Sequence, residues 1–232
     1  MFEALTPAEW DAIRLSIQVA TVAAIASLPF GVAVAYLLAR GRFPGRGLVD
    51  ALVHLPLVMP PVVTGYLLLL AFGRKGPAGA FLEQTFGIVL AFRWTGAALA
   101  AAIMGFPLMV RAIRLSIEAI DQRLEAAAST LGANRLWVLA SVTLPLALPG
   151  LFAGTVLSFA RALGEFGATI TFVGNIPGVT QTIPSAIYTY TQVPGGDAAA
   201  LRLTAISVAI AFVALLFSEA LARRATRRAL GQ

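Results

Sequence analysis

Residues 15–39 have the sequence LSIQVATVAAIASLPFGVAVAYLLA and carry no charged side chain. A helix of about 20 apolar residues crosses the hydrocarbon core of a bilayer, which is roughly 30 Å thick. Thr6, Pro7 and Glu9 precede this run in the order of an N-cap, a first-turn proline and the acidic residue of a capping box. We therefore predict a helix that begins near Pro7 and spans the membrane over about residues 12–39. The acidic residues before it and its length argue against a cleaved secretory signal.

The composition of the whole chain agrees with a membrane protein. Of its 232 residues, 59% are hydrophobic and only 12% are charged, which leaves too little polar surface to cover a soluble globule. The chain has no cysteine and one histidine, so disulfides, thiolate chemistry and cysteine or histidine metal sites are not expected. The single lysine, Lys75, is followed by glycine, so the chain has no Gly-x-x-x-x-Gly-Lys-Ser/Thr phosphate-binding loop. We expect no catalytic residue, metal or cofactor in this chain.

Charged residues divide the rest of the chain into four further apolar stretches. We predict spans over about residues 51–72, 94–114, 145–166 and 201–221, which makes residues 1–232 a single transmembrane domain with five helices. The connections after the first, third and fifth spans are rich in arginine, so the positive-inside rule places the N-terminus outside and the C-terminus inside. The arginines assigned to the cytoplasm are Arg40, Arg42, Arg46, Arg111, Arg114, Arg123, Arg135, Arg223, Arg224, Arg227 and Arg228. They lie between apolar runs and form no single stripe, so we expect no nucleic-acid partner.

Two segments do not fit a straight helix. The second span contains Pro56, Pro60 and Pro61, each of which removes a backbone donor, so we expect it to kink or break. The carbonyls left free need partners or cavity water, which suits either a transport pathway or a kink made for packing. Residues 167–196 are uncharged but rich in Gly, Pro and Thr, and we expect an irregular segment there.

The segment between the third and fourth spans interrupts the membrane pattern. Residues 117–131 contain several charged side chains and fit an amphipathic cytoplasmic helix. We expect Gly132 to cap this helix and Asn134 to start a second one that continues through Trp137 to Leu144. Such a rigid helix pair could transmit a push from a docked partner into the membrane, or it could be an ordinary surface hairpin.

This segment resembles the EAA loop of ABC importer permeases. That pattern is Glu-Ala-Ala, three residues, Gly, nine residues, and Ile-x-Leu-Pro. Here Ala127 and Ala128 keep their spacing to Gly132, and the sequence VTLP at residues 142–145 matches the end. Ala126 takes the place of the glutamate. We call residues 116–144 the EAA-like loop. The residues that the resemblance assigns to coupling with an ATPase are Glu125, Ala126, Ala127, Ala128, Gly132, Ala133, Trp137, Leu144 and Pro145.

The resemblance extends over nearly the whole chain and is strongest to the membrane subunits of molybdate importers. It is carried by HLPLVMPPVVTGY at residues 54–66, FPLMVRAIR at 106–114, ARALGEFGATI at 160–170, GNIPG at 174–178 and TIPSAIY at 182–188. Sulfate permeases share the Gly-Glu-Phe-Gly and Gly-Asn-Ile-Pro elements. The resemblance therefore implies the all-α polytopic fold of small ABC importer permeases.

The same resemblance implies a function and partners. The chain would be a multi-pass protein of the inner or plasma membrane, and would move molybdate, with tungstate as a second candidate, into the cytoplasm. It would work with a second copy of itself, with two cytoplasmic subunits that bind ATP and Mg, and with an external oxyanion-binding protein. A sulfate or thiosulfate importer permease and a stand-alone secondary transporter remain alternatives.

Several polar or helix-breaking residues are candidates for the transport pathway or its gate. Arg161 and Glu165 are four residues apart, and ionisable groups in a span are costly enough to require a partner or a water-filled cavity. We favour a structural ion pair near the outer interface over a gate. Serine and threonine hydroxyls could donate to a passing oxyanion, although they commonly bond their own helix backbone instead. The full set of candidates is Pro60, Pro61, Thr64, Ser158, Arg161, Glu165 and Thr169.

Overall fold

The computed structural model describes residues 5–229, and over this range the chain forms helices and no strand. The prediction of an all-α fold is confirmed. The helices are α1 (Pro7–Arg40), α2 (Arg46–Val58), α3 (Pro61–Phe72), α4 (Pro77–Phe86), α5 (Trp94–Glu118), α6 (Gln122–Thr130), α7 (Arg135–Val138), α8 (Leu144–Leu163), α9 (Gly167–Val173), α10 (Ile183–Thr191) and α11 (Asp197–Ala229). The side chains of the four predicted cytoplasmic arginines near the end of α11 (Arg223, Arg224, Arg227 and Arg228) lie outside the described residues.

Within the described range, four helices are long and apolar enough to cross a membrane: Pro7–Arg40, Trp94–Glu118, Arg135–Leu163 and Asp197–Phe217. The second predicted span, over residues 51–72, is instead the pair α2 and α3, which meet at an angle of 111°. The prolines explain this break, because Pro60 is the extended N-cap of α3 and Pro61 is its first residue. Five spans result only if this bent pair counts as one.

The boundaries differ from the prediction at the fourth span. The helix that contains this span begins at Arg135, ten residues before the expected start, because α7 continues into α8 through the π-helical segment Leu139–Thr143. It ends at Leu163, before Glu165, so Glu165 lies in the link to α9 and not on the helix of Arg161.

The expectation of an irregular segment over residues 167–196 is partly wrong. Two short helices, α9 and α10, occupy much of it. Polar side chains from outside each helix stabilise its first turn. The backbone N–H of Ala168 donates to Glu165 Oε1 at 2.8 Å, and that of Ile183 donates to Ser16 Oγ at 2.6 Å. Because Ser16 is distant in sequence, local composition could not reveal this support.

The start of α1 forms the predicted capping box. The backbone N–H of Glu9 donates to Thr6 Oγ1 at 3.3 Å, and the N–H of Thr6 donates to Glu9 Oε2 at 2.7 Å. Arg202 of α11 donates to the other oxygen of this buried carboxylate at 3.0 Å. The local capping motif therefore also joins the first helix to the last.

Helix α5 forms the centre of the bundle, packed between α1 and α8. On α8, Gly150, Gly154 and Ser158 recur every fourth residue and all are buried. A Cβ atom at Gly154 would lie 2.9 Å from the carbonyl oxygen of Met109 on α5. Small residues at this spacing let two membrane helices pack with their backbones in contact. The spacing is visible in the sequence, but it was not among the predicted features.

We predict that Gly154→Leu will destabilise the protein, because the new side chain must push α8 away from α5. Overpacking of this kind costs about 1–3 kcal/mol. Thermal unfolding in detergent checks this, with Leu148→Val on the exposed side of the same helix as the control. Equal unfolding temperatures for Gly154→Leu and the wild type would show that the close α5–α8 contact is not needed.

Candidate functional site

The EAA-like loop is a helix, a glycine turn and a second helix, as expected. Gly132 has φ of +87°, the left-handed region that favours glycine. Its N–H donates to the carbonyl of Ser129 at 3.1 Å, and the N–H of Ala133 donates to that of Ala128 at 3.3 Å. These two bonds form a Schellman motif that ends α6. Asn134 then caps α7, since its Oδ1 accepts from the N–H of Trp137 at 2.8 Å.

Glu125 fixes α6 to the membrane helices. Its Oε1 accepts a hydrogen bond from Thr143 Oγ1 at 2.7 Å, and its Oε2 lies 2.9 Å from Nε of Arg40. Thr143 belongs to the π-helical segment before α8, and Arg40 is the last residue of α1. The carboxylate therefore bridges three elements, although Ala126 occupies the position of the glutamate in the EAA pattern.

Arg40 extends this junction to α5. Its Nη2 donates to the carbonyl oxygens of Ile117 and Ile120, at 2.9 and 3.1 Å. These two residues lie at or just beyond the end of α5, before α6 begins. The last carbonyls of a helix have no amide donor four residues further along the same helix, and a guanidinium group satisfies them well. The sequence places Arg40 on the positive inner face but does not predict this role. Its position directly after the uncharged run was the one available signal.

The tip of the EAA-like loop exposes large apolar side chains. Leu131 is 89% exposed, Leu136 77% and Trp137 65%. Beside them lies a cavity of about 440 Å³, lined by Ala128, Leu131, Gly132, Ala133, Asn134, Trp137 and Ser141. Ala126 and Ala127 are exposed on α6. An apolar, small-residue surface of this kind, rimmed by polar groups, is typical of a protein contact.

The end of the EAA-like loop is continuous with a membrane helix. Pro145 cannot donate a backbone hydrogen bond, and the π-helical turn Leu139–Thr143 ends two residues before it. Leu144 is half-buried and Pro145 is exposed. Because the chain stays helical from Arg135 to Leu163, a force on Trp137 acts directly on the helix that packs against α5.

Some of the candidate pathway residues, Pro60, Pro61, Glu165 and Thr169, lie around the junction of α3 with α9, whereas Ser158 of α8 packs against Gly105 of α5. A Cβ atom at Gly167 would lie 2.8 Å from Cβ of Pro61, and one at Gly65 would lie 2.9 Å from Cα of Ala168. The broken end of α3, where Pro60 and Pro61 lie, is thus packed directly on the first turn of α9.

Two hydroxyl groups in this candidate set are buried and have no hydrogen-bond partner among the described residues: Thr64 Oγ1 and Ser158 Oγ. Thr64 is 4% exposed on α3, and Ser158 is fully buried on α8. Most buried hydroxyls are satisfied, so such groups are candidates for contact with water or a ligand. Thr169 differs, because its hydroxyl donates to the backbone carbonyl of Phe166 at 2.9 Å.

Arg161 and Glu165 form an ion pair, with Nη1 2.6 Å from Oε2. The side chain of Glu165 is 1% exposed and that of Arg161 is 28% exposed. Because Glu165 also accepts the N–H of Ala168, it joins the end of α8 to the start of α9. The pair therefore forms as its spacing predicts, and its role as a structural pair or as a gate stays a prediction.

Comparison with known proteins identifies the family. The family model described as binding-protein-dependent transport system inner membrane component matches residues 27–227 of this chain. The chain belongs to this family. Its members are components of transport systems in the inner membrane, so this is a membrane transport protein and not an enzyme. Among the described residues, no group of three or more His, Asp or Glu side chains could hold a metal ion.

Individual relatives of this permease family cover nearly the whole chain. The molybdenum transport system permease protein ModB of Escherichia coli (strain K12) is 60% identical over 225 residues, 97% of this chain and 98% of that protein. The sulfate transport system permease protein CysT of Salmonella typhimurium is 39% identical over 221 residues, 95% of this chain and 79% of that protein. A solved bacterial ABC transporter involved in alginate import has a TM-score of 0.74 at 18% identity, over 95% of this chain and 80% of its own, and shares the fold.

Proposed function

We propose that this chain is the membrane subunit of an ATP-driven importer of molybdate. The observation that carries the proposal is the 60% identity to a molybdenum transport system permease over 97% of the chain, against 39% to a sulfate permease. Tungstate, an oxyanion of the same charge and shape, is the second candidate substrate.

The EAA-like loop is the proposed contact with the ATPase partners. Its exposed tip offers Leu131, Leu136 and Trp137 to a partner, while Glu125 and Arg40 attach the loop to α1 and α5. ATP and Mg would be bound by two cytoplasmic subunits, and the substrate would be delivered by an external binding protein. Two copies of the chain would line one pathway, with the N-terminus outside and the C-terminus inside.

Competition between labelled oxyanions tests the substrate. Vesicles that contain this chain, its ATP-binding subunit and its binding protein would be loaded with ATP and given labelled molybdate. We expect unlabelled tungstate to reduce molybdate uptake and sulfate in equal excess to leave it unchanged. Uptake of labelled sulfate at the same rate as molybdate would overturn the substrate assignment and favour a sulfate importer.

Thr64→Val tests whether the unpaired hydroxyl serves transport. Valine has nearly the same shape, so removal of a buried hydroxyl without a partner should leave the free energy of unfolding unchanged within about 1 kcal/mol. We expect molybdate uptake to fall, because a donor to the oxyanion is lost. The matched control is Thr155→Val, whose hydroxyl donates to the carbonyl of Leu151 at 2.8 Å and is not a pathway candidate. Full uptake by Thr64→Val would remove Thr64 from the pathway.

A further inference from the structure

A cavity of about 1130 Å³ lies between the end of α1 and the EAA-like loop. Ala33, Tyr36 and Leu37 of α1 form an apolar wall, and Arg40, Arg42, Arg46 and Arg135 form a basic one. Further apolar side chains line it from the loop side: Leu136, Val138 and Leu139. Glu125 is the one carboxylate among its lining residues, and it is paired with Arg40.

The remaining positive charge of this cavity is only weakly compensated. Nη2 of Arg46 lies 3.7 Å from Oε1 of Glu118, and its side chain is 40% exposed. Arg42 and Arg135 make no ion pair with any side chain that the structure describes. Guanidinium groups bind phosphate oxygens with two parallel hydrogen bonds, so this pair of arginines suits a phosphate.

The position of the cavity relative to the bilayer distinguishes a lipid phosphate from a soluble one. The uncharged run of α1 ends at Ala39, so Ala33 and Leu37 are at the depth of the acyl chains and the arginines are at the depth of the head groups. A soluble anion would contact the basic wall alone. An amphiphile with an anionic head and an apolar tail would contact both walls. Basic pockets between membrane helices on the cytoplasmic side bind anionic head groups in this way.

We propose that this cavity binds an anionic phospholipid of the inner leaflet, with its phosphate between Arg42 and Arg135 and an acyl chain along Tyr36 and Leu37. The lipid then joins the end of α1 to the first residue of α7 and stiffens the EAA-like loop. The proposal rests on the orientation given under the proposed function, because the lipid must come from the cytoplasmic leaflet.

Lipid retention, measured by native mass spectrometry, tests this without any transport assay. The permease, purified together with its ATP-binding subunit, would be titrated with phosphatidylglycerol or phosphatidylcholine. We expect preferential retention of phosphatidylglycerol, reduced roughly tenfold or more in Arg42→Gln/Arg135→Gln. The matched control is Arg111→Gln/Arg123→Gln, which removes two exposed arginines outside this cavity and should leave retention unchanged.

Four results would overturn the proposal. Equal retention of the two lipids would mean that the cavity has no preference for an anionic lipid. Equal loss in the control variant would mean that the retained lipid is not held by the arginines of this cavity. Displacement of phosphatidylglycerol by millimolar inorganic phosphate would assign the site to a soluble anion. Retention by the chain alone but not by its complex with the ATP-binding subunit would assign the cavity to that subunit. Failure of the chain to bind an ATP-binding subunit at all would refute the proposed function, and lipid retention by the chain alone would still be measurable.

Discussion

Gly132→Pro will uncouple ATP hydrolysis from molybdate uptake. Proline cannot adopt the positive φ that Gly132 requires, and it removes the N–H that donates to Ser129. The turn between α6 and α7 must therefore open, which separates Glu125 from Trp137. We expect uptake to fall by about tenfold or more, since a distortion of 1.4 kcal/mol already changes an equilibrium tenfold, while ATP hydrolysis by the complex continues.

The ratio of molybdate imported to ATP hydrolysed, measured in vesicles, checks this prediction. Gly132→Asn is the matched control, because asparagine tolerates the left-handed conformation and should preserve the ratio. Co-purification of the ATP-binding subunit with Gly132→Pro shows that the complex still assembles. A wild-type ratio in Gly132→Pro would remove the turn from the coupling path.

Arg161→Ala will destabilise the protein strongly. It leaves the carboxylate of Glu165 almost fully buried without its cationic partner. Removal of one member of a buried ion pair lowers the free energy of unfolding by about 3–5 kcal/mol. Because Arg161 is partly exposed, we expect a loss near the lower end of that range. We expect a large fall in the thermal unfolding temperature in detergent.

The double variant Arg161→Ala/Glu165→Gln separates a structural pair from a gate. Glutamine has no charge to bury and can still accept the N–H of Ala168, so we expect most of the stability to return. If the pair is structural, uptake returns with it. Restored stability without restored uptake would make the pair part of the gate, and no recovery of stability would contradict the ion-pair account.

The features that the sequence predicts well are local ones. The capping box at Thr6, the turn at Gly132 and the cap at Asn134 each depend on neighbouring residues and were all confirmed. The run of prolines predicted a break between α2 and α3, but the angle of 111° depends on the packing of α3 against α9. No local pattern encodes such an angle.

The contacts that join distant segments could not be predicted. Glu125 was selected by its place near a known pattern, but its partners Arg40 and Thr143 come from two other elements. The unpaired state of Thr64 and Ser158 likewise depends on what packs around them. By contrast, the pairing of Arg161 with Glu165 was expected from their spacing alone, and it forms even though the helix ends between them.

The central claim, that this chain is the membrane part of an ATP-driven importer, is tested most directly by the energy source of uptake. Vesicles with this chain, its ATP-binding subunit and its binding protein would be given labelled molybdate with ATP, without ATP, or with a non-hydrolysable ATP analogue. We predict accumulation only with ATP. Accumulation without ATP, driven by an ion gradient and independent of the ATP-binding subunit, would contradict the claim and identify a secondary transporter.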